Sequence, residues 1–170
     1  MMGVGLLKPM PRVNRILNHP VYQEYMQRMT AAERERRYCR HGYDHGLAVA
    51  RIAYAYLLEQ GTLELNKEVI YAAALLHDIG RWVEYAEGQD HAEAGAGLAG
   101  PILDECGFGP GETGSIVQSI REHRRDPGDH VLSQLGRTLA LADDWARDCR
   151  HCPSQAGCYK FTTDSVNLVY

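Results

Sequence analysis

Ala72-Ala73-Ala74-Leu75-Leu76-His77-Asp78-Ile79-Gly80-Arg81 decides the fold and points to the site. It is the end of an apolar helical segment that Asn66 can cap and that runs to Ile79, with Gly80 as its stop. On that helix His77 lies below Ile70 and Ala73-Ala74, and Asp78 follows at the same end. An imidazole and a carboxylate thus share the face that should point into the core. A buried ionised Asp is costly unless it is paired or bound to a metal.

Working outward, the rest of the chain repeats the pattern. No stretch shows sustained period-2 alternation, and several show apolar residues at helical spacing bounded by Gly, Pro, Asn or Asp. An all-α fold is expected. Helices are predicted over 20–29, over 44–59 with Gly61 as stop, from Asp90 to Cys106 with a kink or split at Gly100-Pro101, over 110–123, and over 132–147. Thr30-Ala31-Ala32-Glu33 fits a capping box opening a further charged segment through Arg37. The stretches from Trp82 to Gly88 and from Asp126 to Val131, and the chain beyond Pro153, read as loop. The whole is read as one domain over 1–170, with a core of about 40–147, N-terminal helices within 14–38 and a cysteine-containing tail over 148–170.

The 170 residues carry 18 Lys and Arg against 22 Asp and Glu, a formal charge of −4. That balance lacks the basic excess of a phosphate-backbone binder, so nucleic acid is not an expected partner. The apolar run of residues 3–7 is too short for a signal region or a membrane span, which predicts a cytoplasmic protein without membrane association. Five cysteines without an export signal argue for metal binding or free thiols over disulfides.

Four more polar residues sit on apolar stripes. His45 is aligned with Val49, Ile52 and Tyr56, His91 with Gly95, Leu98 and Ile102, and His123 with Ile116 and Ile120, while Asp143 lies under Leu139 and Ala140. A single core histidine bonded to a backbone carbonyl is ordinary. Four inward histidines and two inward carboxylates on successive helices would need many separate compensations, whereas one metal centre satisfies them together. Imidazole and carboxylate donors without thiolate point to Mn, Fe, Co, Ni or Zn, with one or two ions per chain.

The order of these residues resembles the HD superfamily of metal-dependent phosphohydrolases: one His, an adjacent His-Asp pair, and a distant Asp. His45 in Tyr43-Asp44-His45-Gly46, the His77-Asp78-Ile79-Gly80-Arg81 run and Asp143 in Leu141-Ala142-Asp143-Asp144 match those positions over roughly 40–147. The resemblance implies an HD-domain helical bundle, with His45, His77, Asp78 and Asp143 holding one ion. His91 and His123 resemble the extra ligands of two-metal members, in which the pair's Asp bridges the ions. Arg124 stands where some members carry a second His. Small bacterial members share Arg40-His41 before the first ligand, Arg81 after the pair, and a cysteine cluster past the last Asp.

The chemistry so implied is hydrolysis of a phosphate ester of a nucleotide or another small phosphorylated metabolite by metal-activated water. Asp78 and Arg81 are the candidate catalytic residues, Arg81 as a charge on the phosphate. Arg124 and His41 are further substrate-binding candidates, Arg121 a weaker one, and each reads equally well as a solvated surface group. A di-iron oxygenase of the same fold would show nearly the same ligands, and a non-catalytic metal-stabilised sensor or scaffold stays open beside it. Cys149, Cys152 and Cys158 are spaced C-x2-C-x5-C; with Cys39 as fourth ligand they could hold a structural metal such as zinc. His151 competes for that place, Cys106 reads as part of an apolar helix end, and free thiols in a loose tail are the plain alternative.

Overall fold

The computed structural model describes residues 9–62 and 64–170; the apolar run of residues 3–7 lies outside them. Among the described residues every regular element is helical: α1 (Pro11–Leu17), α2 (Pro20–Ala32), α3 (Tyr43–Glu59), α4 (Lys67–Leu76), α5 (Arg81–Glu87), α6 (His91–Glu105), α7 (Pro110–Glu122) and α8 (Gln134–Trp145). Two short 3-10 turns, Gln155–Gly157 and Thr163–Val166, follow. The chain is an all-α helical bundle.

α4 is its hub. The Asn66 side chain accepts from the Glu68 N–H, as a helix N-cap should, and residues 69–76 are all buried. A helix apolar on every side must be surrounded. α3 and α7 pack along it, and α1 and α8 close the remaining sides. α3 also packs on α8, α7 on α8, and α6 on both α5 and α7, so the helices that carry polar residues inward all meet around the C-terminal end of α4. No helix of the described residues is long and apolar enough to cross a membrane.

The helices depart from the sequence-based boundaries in four places. Thr30 opens no helix: its hydroxyl donates to the Met26 carbonyl inside α2, which continues to Ala32, and residues 33–38 form turns. α4 ends at Leu76, and residues 77–80 make a tight turn from which α5 leaves at once, where a loop was expected. α1 is a further helix that the periodicity did not reveal; with 7 residues it is too short for a clear stripe. Pro101 does not split α6: it is exposed, and the missing hydrogen bond concerns the carbonyl of Gly97, which faces solvent.

Gly80 is required by close approach. A Cβ there would lie within 3.0 Å of three backbone atoms, the His91 carbonyl oxygen and the N and Cα of Gly95. On the α6 side the contact is made by Gly95, whose own missing side chain lets the helix lie directly on the 77–80 turn.

Candidate metal centre

The turn after α4 carries His77 and Asp78, and the neighbouring helices deliver the other donors to it. His45 comes from the first turn of α3, His91 from the N-terminus of α6, His123 from the C-cap of α7 and Asp143 from the last turns of α8. His77, Asp78, His91, His123 and Asp143 are buried, and the His45 side chain is 12% exposed.

The six residues form two groups that share Asp78. In the first, one donor atom each of His45, His77, Asp78 and Asp143 lie within 4.8 Å of one another; in the second, those of Asp78, His91 and His123 do. Asp78 Oδ2 is 3.0 Å from His77 Nε2 and 3.7 Å from His45 Nε2, and Asp143 Oδ1 is 2.9 Å from His45 Nε2. The other carboxylate oxygen, Oδ1, is 3.3 Å from His91 Nε2 and 3.8 Å from His123 Nε2. One carboxylate therefore presents an oxygen to each group.

The hydrogen bonds leave these donor atoms facing inward. His77 Nδ1 meets the Ala74 carbonyl at 2.6 Å, His123 Nδ1 the Ile120 carbonyl at 2.6 Å, and His91 Nδ1 a Glu84 oxygen at 2.5 Å. Each acceptor holds a proton on Nδ1 and turns Nε2 toward the centre, the orientation of a metal-ligating imidazole. His91 Nε2 and His123 Nε2 face each other at 3.2 Å, close enough for one cation to take both as ligands. His45 Nε2, His77 Nε2 and Asp78 Oδ2 are buried without a hydrogen-bond partner, because the approaches to neighbouring oxygens lack hydrogen-bond angles. The donor set and its orphaned atoms fit a divalent transition metal.

Charge agrees with this. Burial would raise both carboxyls, yet His77 and Arg81 hold Asp78, and His45 and His77 hold Asp143, well below the usual carboxylate range. Burial together with the charge on His77 pushes His123 down to about 3, which keeps it neutral. For His77 burial is outweighed by Asp78 and Asp143, which raise it to about 10. The site is thus a concentrated negative charge in which a proton on His77 stands in for a cation.

A cavity of about 840 Å³ opens over the centre, with Arg81, His91, His123 and Asp143 in its floor and Trp145 and Tyr159 in its walls. Arg81 reaches it while its Nε donates to Asp78 Oδ1 at 2.7 Å, so it also holds the shared carboxylate. Arg124 lines the rim, where its guanidinium bonds Asp90 and Glu84 and ties α7 to the start of α6. His41 stands apart: it is absent from the cavity lining, and Glu33 takes both its backbone N–H and its Nδ1, which turns it behind His45. Arg121 is tied to Glu93 on the surface. Cys39, Cys149, Cys152 and Cys158 are half-buried free thiols, no three of which lie within 4.8 Å of one another.

Three supporting residues escaped the sequence reading. Glu84 orients His91, and it stands on α5, in a stretch read as loop. Glu33 fixes His41 from the end of α2. Arg147 bonds Asp143 at 3.3 Å and Asp144 at 2.6 Å, a spacing of four and three residues that was legible as a helical ion pair.

A helical bundle thus gathers four histidines and two aspartates into a cluster that could hold a metal, beside a cavity lined by basic and acidic side chains. Residues 42–148 match the family model of the HD domain, and the chain belongs to that family, whose domains bind divalent metals and are generally hydrolases. Over 149 residues, 88% of this chain and 92% of the other, it is 36% identical to an uncharacterized protein of Clostridium beijerinckii. It is 30% identical over 133 residues to ribonuclease Y of Pelobacter propionicus, covering 76% of this chain but 23% of that one. A crystal structure of a predicted HD superfamily hydrolase from an uncultured Thermotogales bacterium superposes with a TM-score of 0.56 at 27% identity, covering 78% of this chain and 72% of that one.

Proposed function

We propose that this protein is a metal-dependent phosphohydrolase that cleaves a phosphate ester of a small metabolite, with a nucleotide as the favoured class. The observation that carries the reading is the Asp78 carboxylate, shared between two donor groups whose His91, His123 and Asp143 reach a cavity that Arg81, Arg124, Arg125, Arg147 and Lys160 also line. Divalent ions held by His45, His77, Asp78, Asp143, His91 and His123 would supply the Lewis acidity that activates water toward a phosphate ester.

The chain's own residues do the rest. Arg81 is anchored through Nε on Asp78, which leaves the far end of its guanidinium for a phosphate oxygen. Arg125 and Lys160 make no ion pair among the described residues, and they are the charges free to meet further anionic groups of the substrate. Trp145 and Tyr159 offer aromatic faces on which a base can stack. The cavity volume exceeds what a lone phosphate group needs, which favours a substrate of nucleotide size.

The test is phosphate release from a panel of nucleotides and sugar phosphates by protein reconstituted with Mn or Co. Metal-dependent release from at least one member, abolished in Asp78→Ala, is expected. No release from any member, with oxygen consumption by the iron-loaded protein, would replace the reading with an oxygenase. Neither activity in a fully metal-loaded protein would leave a sensor or scaffold.

A further inference from the structure

The chain after α8 has no core of its own and meets the bundle at its end, where Tyr170 packs on Tyr56 and Trp145. Among residues 147–170 the single buried residue is polar Ser154, while Tyr159 and Leu168 are almost fully exposed. The backbone there is a run of tight turns that begin or end on cysteines: Cys152 N–H donates to the Cys149 carbonyl, Gln155 N–H to Cys152, and Phe161 N–H to Cys158. Short segments with so little apolar burial normally need a covalent or metal staple to hold one conformation.

This tail docks on the segment that carries the fourth cysteine. Ser154 Oγ donates to the Arg37 carbonyl at 2.7 Å and Tyr38 OH to the Gly157 carbonyl at 2.8 Å, while within that segment Arg36 Nε holds the Cys39 carbonyl at 2.8 Å. The convergence follows from the metal centre. Cys39 lies 6 residues before His45 and Cys149 lies 6 after Asp143, and those two ligands meet at 2.9 Å. The chain entering α3 and the chain leaving α8 therefore depart from one point on the same side.

Four of the five cysteines collect at this junction and are half-buried, whereas Cys106 is packed into the core at 1% exposure as an ordinary small apolar residue. The Cys149 thiol is pushed up by burial and then by Cys39, Cys152 and Cys158, which stand near it at this junction.

We propose that Cys39, Cys149, Cys152 and Cys158 form a four-thiolate metal site, separate from the His/Asp centre, that staples the C-terminal tail to the start of α3. Two occupants share this chemistry, a single zinc ion and an iron–sulfur cluster. Their size separates them. Four thiolates at about 2.3 Å from one zinc stand roughly 3.8 Å apart, whereas a cluster spreads its ligands over several irons. No three of these sulfurs lie within 4.8 Å of one another, so they must close in to hold a single zinc, and sulfide content tells the two occupants apart. The staple has a consequence for the cavity, because Tyr159, Lys160 and Thr162 of the tail form one of its walls. The site does not depend on the hydrolase reading.

The experiment is metal, acid-labile sulfide and thiol analysis of the full chain purified without oxygen, in wild type and Cys152→Ser. Wild type should hold zinc or iron beyond the His/Asp centre, and its four junction thiols should react at least tenfold more slowly than after chelation. Iron with sulfide and a broad visible absorption identifies the cluster, and zinc without sulfide identifies the single ion. Cys152→Ser should lose that metal alone, keep its helical circular dichroism, and be cut by trypsin at Arg150 and Lys160 at least tenfold faster. Cys106→Ser, outside the junction, should change none of these. The proposal is overturned if the junction thiols of the untreated wild type react as fast as after chelation, and equally if Cys152→Ser retains every ion. Should Cys152→Ser fail to fold, the thiol kinetics of wild type with and without chelator decide alone.

Discussion

Gly80→Ala tests how tightly the helices clamp the centre. The new Cβ would come within 3.0 Å of the His91 carbonyl oxygen and of Gly95 N and Cα, all backbone atoms that no rotamer change can move. The 77–80 turn and α6 must part by roughly 1 Å to restore ordinary contact distances. Overpacking of this kind costs about 3 kcal/mol, which in a chain of this size lowers Tm by roughly 6–12 °C. The displaced helix carries His91, whose Nε2 is now 3.3 Å from Asp78 Oδ1, and ligand distances tolerate only about 0.2 Å. Thermal unfolding by circular dichroism, with manganese titration at 25 °C, should therefore show both a lower Tm and a weakened second ion. A wild-type Tm with two ions bound at wild-type affinity would refute the reasoning.

Further outcomes follow from the same geometry. The double variant His91→Ala/His123→Ala keeps the His45, His77, Asp78 and Asp143 group, and elemental analysis should find one manganese per chain; two would refute the assignment. Arg81→Ala should cut turnover by one or more orders of magnitude while helix content stays unchanged, because a charged phosphate contact is lost; a wild-type kcat would reduce Arg81 to a rim residue. Arg12→Met should destabilise the chain by about 1.5–3 kcal/mol at neutral pH, since Arg12 bonds both Glu68 and Glu112. Against burial, Arg12 holds the Glu68 carboxyl below its ordinary value. That stabilisation is present above the unfolded pKa and is lost as pH falls through the folded one, so wild type and variant should converge below about pH 4. A gap that persists in acid would contradict it.

The helical fold and the inward stripes were legible because α3, α4, α6, α7 and α8 are long enough for the 3.6-residue period to show. The six inward residues could be singled out one by one, since an imidazole or carboxylate among Ile, Leu and Ala stands out. How close they come depends on the 77–80 turn and on helix crossings, which local periodicity does not encode. α1 and α5, with 7 residues each, were missed for want of length, and with α5 went Glu84. The Thr30 capping box misled because the same hydroxyl can bond back to the carbonyl four residues earlier, and within a continuing helix it does. The turns that order the cysteine tail are backbone bonds without a composition signature beyond Gly and Pro.

Asp78 is the ligand assigned to both ions, and manganese titration of wild type against Asp78→Ala tests that most directly, since manganese prefers oxygen and nitrogen donors to thiolates. Wild type should bind two ions per chain and gain thermal stability on loading, and Asp78→Ala should bind neither tightly. Two ions in Asp78→Ala, or fewer than two in wild type, would contradict the assignment of Asp78 as a shared ligand.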